Sequence, residues 1–371
     1  MAPMAEAIPV LVGKKRTNAK RSLTQTMRAL VFNGPGSKQL EERPKPCLLN
    51  PGDAIVRMIK TTICGTDLHI LRGDVPTVMP GRILGHEGVG VVETVGPAVQ
   101  QFRPGDRVLI SCISADGTCE YCRRGMYSHC LNGGWILGNT IDGCQADYVR
   151  TPHADTSLFH VPVGADEEAL VMLSDVLPTG FECGVLNGKI EPGSAVAIIG
   201  SGPIGLGALI TAQLYSPAEI IVIDLDDYRL DCAKRLGATA VINSSDGAVA
   251  TRVKALTSGR GVDTAIEAVG VPATFELCEQ IVAPGGVIAN IGVHGSKVDL
   301  HLETLWSANI EIATRLVDTT ATPMLLELVE AKKIDPRPLI THRFRLDECD
   351  KAYEVFSKAA ESKALKVIIE I

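Results

Sequence analysis

Between residues 27 and 110 the apolar positions come in short runs, at 29–32, 54–63, 88–95 and 107–110, separated by glycine, proline and charged residues. Runs of this length and composition predict strands, so the first part of the chain reads as mainly β. From about Thr179 the pattern changes. Apolar runs at 195–199, 220–223, 263–267 and 287–291 alternate with amphipathic stretches, which predicts a parallel sheet with helices on both faces. Past Val317 come a helix-like stretch at 323–332, a segment at 344–357 and a strand at 364–371, expected to return to the first half. The chain is accordingly divided into an extension (1–26), a mainly β domain begun over 27–177 and completed by 318–371, and a doubly wound α/β domain over 178–317.

Composition narrows the partners. The chain has 371 residues, 46% hydrophobic and 21% charged, with a net charge of −7. That length suits two domains with a cleft between them. The charge argues against a nucleic-acid binder, which needs a basic face, and favours a small-molecule ligand. No apolar run approaches the roughly twenty residues that span a bilayer, so no membrane association is expected. Eleven cysteines, an odd number, point to reduced thiols in a cytosol-like compartment. Cys47, Cys144, Cys183, Cys232, Cys278 and Cys349 stand singly and read as small hydrophobes. Residues 1–26 carry Lys14, Lys15, Arg16, Lys20 and Arg21 among hydroxyl residues. They read either as a mitochondrial transit peptide or as a tail outside the fold, and the cytoplasm is the expected location unless the first reading holds.

The strongest local pattern is AVAIIGSGPIG at 195–205. A buried strand runs straight into Gly200, Gly202 and Gly205, the G-x-G-x-x-G spacing. Here Gly200 would allow the tight turn, Gly202 the approach of backbone to a pyrophosphate, and Gly205 the packing of helix on strand. The next apolar run ends at Asp224, where a carboxylate accepts from ribose hydroxyls and repels a 2′-phosphate. NAD is therefore the expected cofactor.

Thiol, imidazole and carboxylate come together in CGTDLH at 64–69 and GHEGVG at 85–90. With Gly96, Val99, the tract LSDVLPTG at 173–180 and the glycine fingerprint, they resemble the landmarks of the zinc-dependent medium-chain alcohol dehydrogenase family over essentially all of 27–371. The resemblance implies a GroES-like catalytic domain beside a Rossmann NAD-binding domain. It also implies a catalytic zinc on Cys64, His86 and Asp175. Most such enzymes use Cys₂His; Asp175 stands where the second cysteine is usual, as in the branch with bacterial secondary-alcohol and formaldehyde dehydrogenases. A carboxylate keeps the ligand charge but donates less electron density, which leaves the metal a slightly stronger Lewis acid. Glu87 is expected just behind the ligands or as an exchange ligand, and Asp67 as the residue that orients His86.

By the same resemblance Thr66 takes the alcohol proton and passes it through the nicotinamide ribose to His69. Thr179 lies under the nicotinamide ring, and Val269, Ile291 and Val293 flank it or bond its carboxamide. The stretch DGTCEYCRRGMYSHC at 116–130 is similar to the family's structural zinc lobe, but Asp116 occupies the first ligand position beside Cys119, Cys122 and Cys130. Either Asp116 serves as a ligand, Cys112 or His129 steps in, or the lobe holds no zinc.

Trp135, Ile136, Leu137 and Leu177 are expected to wall a substrate pocket for small to medium alcohols, aldehydes and ketones. Arg315 is expected in an ion pair, or against cofactor or a polar substrate. The edge of the second domain, around 287–312, is expected to pair with a second copy in a homodimer or homotetramer. The alternatives are a formaldehyde or polyol dehydrogenase with the same zinc chemistry, a zinc-free reductase, and a non-catalytic nucleotide-binding protein.

Overall fold

The computed structural model describes residues 25–371. The basic arm expected over 1–26 lies outside the described residues up to position 24, and Thr26 already opens the strand Thr26–Gly34.

In chain order the strands Ala195–Ile199, Glu219–Asp224, Ala240–Asn243, Val262–Glu267, Val282–Asn290 and Glu311–Thr314 form one sheet. Its spatial order is third, second, first, fourth, fifth, sixth, and every pairing is parallel. This is the Rossmann order, whose crevice opens where the order reverses, between the first and fourth strands. All five residues of Ala195–Ile199 are buried. Val196 and Ile198 face one core, while Ala195, Ala197 and Ile199 face another, which explains an unbroken apolar run in place of an alternating one. Ala240–Asn243 and Glu311–Thr314 escaped the sequence reading because both are half-exposed edge strands without that run.

The mainly β part is built on Ala54–Ile63. This strand pairs with Gly88–Val95, Tyr148–Thr151 and Lys366–Glu370, and Ile340–Arg345 adds beyond Lys366–Glu370. The C-terminal segment thus returns to the first half. Between the sheets lie the short helix Val176–Thr179 and the helical segment Gly180–Leu186, packed on the helix Pro203–Ala212. Two glycines permit the approach. A Cβ on Gly180 would sit 2.5 Å from Ala208 N, and one on Gly207 would sit 2.9 Å from Val176 O. The helix that leaves the dinucleotide turn is therefore fixed against the segment that carries Asp175 and Thr179.

Candidate active site

Ala54–Ile63 delivers Cys64, and Gly88–Val95 begins directly after His86 and Glu87. Because Thr61 pairs with Gly88, the two strand ends bring Cys64 and His86 side by side. Asp175 arrives from the far side as the residue before Val176–Thr179. One donor atom from each of Cys64, His86, Glu87 and Asp175 lies within 4.8 Å of the others. Asp175 Oδ2 is 3.5 Å from His86 Nε2 and 3.7 Å from Cys64 Sγ, and Glu87 Oε1 is 4.0 Å from His86 Nε2. A thiol, an imidazole and a carboxylate so placed, with almost no exposure, could hold a zinc ion.

The electrostatics fit a cation. Burial works to raise the Asp175 carboxyl, but the bonds from His86 and Thr179 outweigh it and hold it at about 2. Burial works to lower His86, yet Asp175 and Cys64 overcome it and carry the imidazole well above its usual range.

Asp67 is placed differently from the expectation. No hydrogen bond joins it to His86; its Oδ2 accepts from Cys64 N at 2.9 Å and Gln145 Nε2 at 3.2 Å. Cys64 caps the helix Gly65–Arg72 and Asp67 is its third residue, so capping geometry turns the carboxylate back onto the cap N–H. Asp67 Oδ1 is buried without a partner, and burial pushes this carboxyl up. Behind it, Tyr353 Oη donates to Gln145 Oε1 at 2.8 Å. Glu87 belongs to the cluster by distance, and both its oxygens also accept from Lys366 Nζ at 2.7 and 2.8 Å. Gln145, Tyr353 and Lys366 carry no motif. The one available signal was a lysine inside an apolar strand, where an unpaired charge is costly.

From the cluster a cavity of about 200 Å³ runs past Thr66 and His69 on one wall and Thr179, Ile291 and Val293 on the other. Thr66 Oγ1 lies 3.7 Å from Cys64 Sγ. His69 stands at the rim, its Nδ1 3.0 Å from Asp74 Oδ2 and 2.9 Å from Arg72 Nη2.

A second cavity, of about 750 Å³, occupies the Rossmann crevice and is lined by Gly200, Gly202, Asp224, Arg229 and Val269. Gly200 has φ +98°, and a Cβ on Gly205 would meet Gly200 O at 1.9 Å. These are the turn and the helix contact that the spacing predicted. Asp224 also braces the turn: Oδ2 accepts from Ser201 N at 2.7 Å and Ser201 Oγ at 3.0 Å. Arg229 Nε is buried there without a partner. Val269 belongs to this larger cavity, apart from Ile291 and Val293.

Residues 50–163 match the family described as alcohol dehydrogenase GroES-like domain, and 203–331 match zinc-binding dehydrogenase. An alcohol dehydrogenase of Cupriavidus necator is 37% identical, with 94% of this chain and 100% of the relative covered. The NADP-dependent isopropanol dehydrogenase of Thermoanaerobacter brockii is 34% identical over 89% of this chain and 95% of its own length. Among solved structures, the apo form of zinc dependent alcohol dehydrogenase 2 from Streptococcus pneumonia superposes with a TM-score of 0.89 at 56% identity, covering 93% of this chain and 98% of that one. The chain belongs to the zinc-dependent medium-chain alcohol dehydrogenase family. Its chemistry is the oxidation of alcohols with zinc and a nicotinamide dinucleotide.

In this alcohol dehydrogenase the smaller cavity is walled by Val75, Ile113, Trp135, Leu316 and Val317, with Trp135 edge-on to His86 at 6.1 Å between ring centroids. Leu177 is no part of it. On the turn Val176–Thr179, positions 175 and 179 share a face and 177 points away, so Leu177 is fully buried in the main core. Leu137 is likewise core. Arg315 reaches the cavity, but its Nε and Nη2 bond Asp318 Oδ2 at 3.1 and 2.7 Å, the expected ion pair. Cys183, read as a plain hydrophobe, lines the cavity. So does Cys112, whose Sγ is 3.8 Å from Asp175 Oδ1; it is not available to the cysteine lobe. Burial pushes both thiols up.

In the lobe, donor atoms of Asp116, Cys119, Cys122 and Cys130 lie within 4.8 Å of one another. His129 is outside that group, its ring 6.2 Å from Tyr121. Asp116 Oδ1 accepts from Thr118 N and Cys119 N at 2.7 and 3.0 Å, which holds it ionised well below the usual range. The Cys122 N–H draws the Cys119 thiol down to about 7, whereas burial pushes Cys122 up to about 12.

The raised pKa of His86 gives metal binding a sign. Asp175 and Cys64 favour the protonated imidazole, and coordination requires that proton to leave. Zinc affinity at this cluster should therefore rise with pH, with proton release on binding. Chelator-competition titrations check this, and a flat profile would contradict it.

Proposed function

We propose that the enzyme reversibly oxidises small to medium primary and secondary alcohols with NAD, at a zinc held by Cys64, His86 and Asp175. The observation that carries this reading is the convergence of those three side chains at the floor of an apolar cavity. When bound there, zinc would act as a Lewis acid that acidifies the alcohol oxygen, and NAD as hydride acceptor. The chain supplies the rest. Thr66 Oγ1 takes the proton and His69 at the rim delivers it to solvent, with Asp74 holding the imidazole. Trp135, Ile113 and Val317 keep water from the reacting carbon. Thr179, Ile291 and Val293 hold the nicotinamide, while Gly200 and Gly202 receive the pyrophosphate at the helix N-terminus. In the lobe, Asp116, Cys119, Cys122 and Cys130 would hold a structural zinc.

Apolar walls favour this substrate class over a polyol, since Arg315, the charged lining residue outside the metal group and the rim histidine, is tied to Asp318. A zinc-free reductase or a non-catalytic nucleotide binder would have no use for the buried cluster. The division into 27–177 plus 318–371 and 178–317 follows sheet membership. A reducing compartment such as the cytoplasm suits eleven unpaired thiols. We infer a homo-oligomer as well: Leu300, Leu302, Trp306 and Ile312 are exposed beside the edge strand Glu311–Thr314, with Trp306 at 78%.

Cys64→Ser and Asp175→Ala should each lower NAD-linked alcohol oxidation by about a hundredfold or more while NADH still binds, measured by steady-state kinetics and fluorescence titration; an active variant would refute the zinc site. Replacing Asp224 by Gly removes the charge facing the ribose. The ratio of kcat/KM for NAD over NADP should then fall by about tenfold or more, and an unchanged ratio would mean the ribose is held elsewhere. Ile312→Lys should convert the oligomer to a monomer in light scattering, and unaltered mass would exclude this edge as the interface.

A further inference from the structure

Arg315 brings a full positive charge to a cavity wall that also contains Ile113, Leu316 and Val317. Its Nε and Nη2 both donate to Asp318 Oδ2, so the guanidinium is neutralised by a carboxylate outside the lining. Asp318 is 2% exposed, and its other oxygen is held by the cysteine lobe. Ser128 N donates to Asp318 Oδ1 at 2.8 Å and Ser128 Oγ at 2.6 Å, and Ser128 lies in the lobe turn Tyr127–His129, just before Cys130. The backbone of Asp318 is anchored as well. Asp318 N donates to Glu182 Oε2 at 2.8 Å, while Glu182 Oε1 accepts from Ala321 N and Thr320 Oγ1 at 2.8 and 3.3 Å. Both oxygens of this second carboxylate are thus engaged by the segment that follows Arg315.

The consequence concerns alcohols that carry a negative charge. A carboxylate at the far end of such a substrate must leave water for the cavity, which is costly unless a cation receives it. Outside the metal group and the rim histidine, Arg315 is the charged residue lining the cavity, and Asp318 has already claimed it.

We propose that Asp318 is a specificity-determining positioning residue: it withholds the Arg315 guanidinium from the cavity and so makes the enzyme reject alcohols with a distal carboxylate in favour of uncharged ones. The proposal rests on the alcohol chemistry proposed above and names what the cavity excludes. Asp318 acts through Arg315, and Ser128 fixes the direction in which its oxygens point.

The test is Asp318→Asn in the full-length zinc-loaded enzyme. Ser128 presents two donors, which keep the amide oxygen where Oδ1 lies and leave the amide NH2 facing Arg315, a donor against a donor. The guanidinium is thereby released to the cavity. Activity with NAD is compared for ω-hydroxybutanoate and ω-hydroxyhexanoate against primary butanol and hexanol, the same chains with methyl in place of carboxylate. In Asp318→Asn the ratio of kcat/KM for acid over alkanol should rise by about tenfold or more, the worth of one hydrogen bond to a charged group, with KM for NAD changed far less. Adding Arg315→Gln should return the ratio to that of the parent. Unreactive analogues read the same preference without turnover: in calorimetry on the NADH complex, affinity for succinamate relative to butanamide should rise in Asp318→Asn and fall back in the double variant.

An unchanged acid-to-alkanol ratio in Asp318→Asn would overturn the proposal, including the case where the released guanidinium turns to Glu182. So would a gain that survives Arg315→Gln, or one confined to KM for NAD. If Asp318→Asn does not fold, Asp318→Ser removes the same charge and keeps a hydroxyl for Ser128. Arg315→Gln alone, which retains a donor for Asp318, gives an independent check: the ratio should stay where it is, whereas a fall would show that the guanidinium already serves the substrate and would reject the idea. Failure of the underlying reading looks different, since a parent that oxidises neither alkanol refutes the alcohol chemistry while the analogue titrations still decide the role of Asp318.

Discussion

Around Cys64, His86 and Asp175 the protein buries an imbalance of charge. The carboxylates of Asp67, Glu87 and Asp175 lie within a few residues' width of one another, all at 9% exposure or less, and the one buried ammonium nearby is that of Lys366. An unpaired buried charge costs several kcal/mol, so this arrangement is tolerable only with cations among the carboxylates. Lys366 neutralises Glu87. An imidazolium at His86 serves Asp175 when no metal is present, and a divalent ion can replace that proton with a second charge to spare. The orphan oxygen of Asp67 marks where the positive field is still wanted. Strand pairing and the returning C-terminal segment bring these groups together.

The second constraint is distance between the domains. A hydride can pass only if the floor of the small cavity and the mouth of the Rossmann crevice are held at a set separation. The helix contact that does this uses Gly180 and Gly207, where even a methyl group would collide with backbone. It sits five residues from Asp175 on one side and two from Gly205 on the other. The metal floor and the dinucleotide turn are therefore joined by a short, rigid span of backbone, with no flexible linker between them.

How much of this could be read from the chain alone followed a physical divide. Elements whose signal is local were legible: the runs at 54–63, 88–95, 107–110 and 195–199 match the observed strands residue for residue, because their mostly buried positions keep the sequence predominantly apolar. The edge strand Glu311–Thr314 was not, since three of its four residues are exposed and the apolar pattern dissolves. In the site the same split recurs. Cys64, His86 and Asp175 stood in recognisable tracts, and the fold brings them together. Leu177 was misplaced because proximity in sequence to Asp175 said nothing about which way a helical turn would aim it. Cys112 lay next to the lobe in sequence but beside Asp175 in space. Gln145, Tyr353 and Lys366 were invisible, since their partners are 78 to 279 residues away.

That last group shows where the specificity of the fold is concentrated. Tyr353 and Lys366 both come from the C-terminal segment, and each ends on a carboxylate that borders the cluster, one through Gln145 to Asp67 and the other directly on Glu87. Neither contact adds apolar area, and each buries polar groups that gain little over their hydration in the unfolded chain. Their effect is to hold two of the acidic side chains crowded here in place, Asp67 through Gln145 and Glu87 directly. Because Asp67, through Gln145, and Glu87 depend on Tyr353 and Lys366, the polar interior of the first domain is complete only when the C-terminal segment has packed onto it.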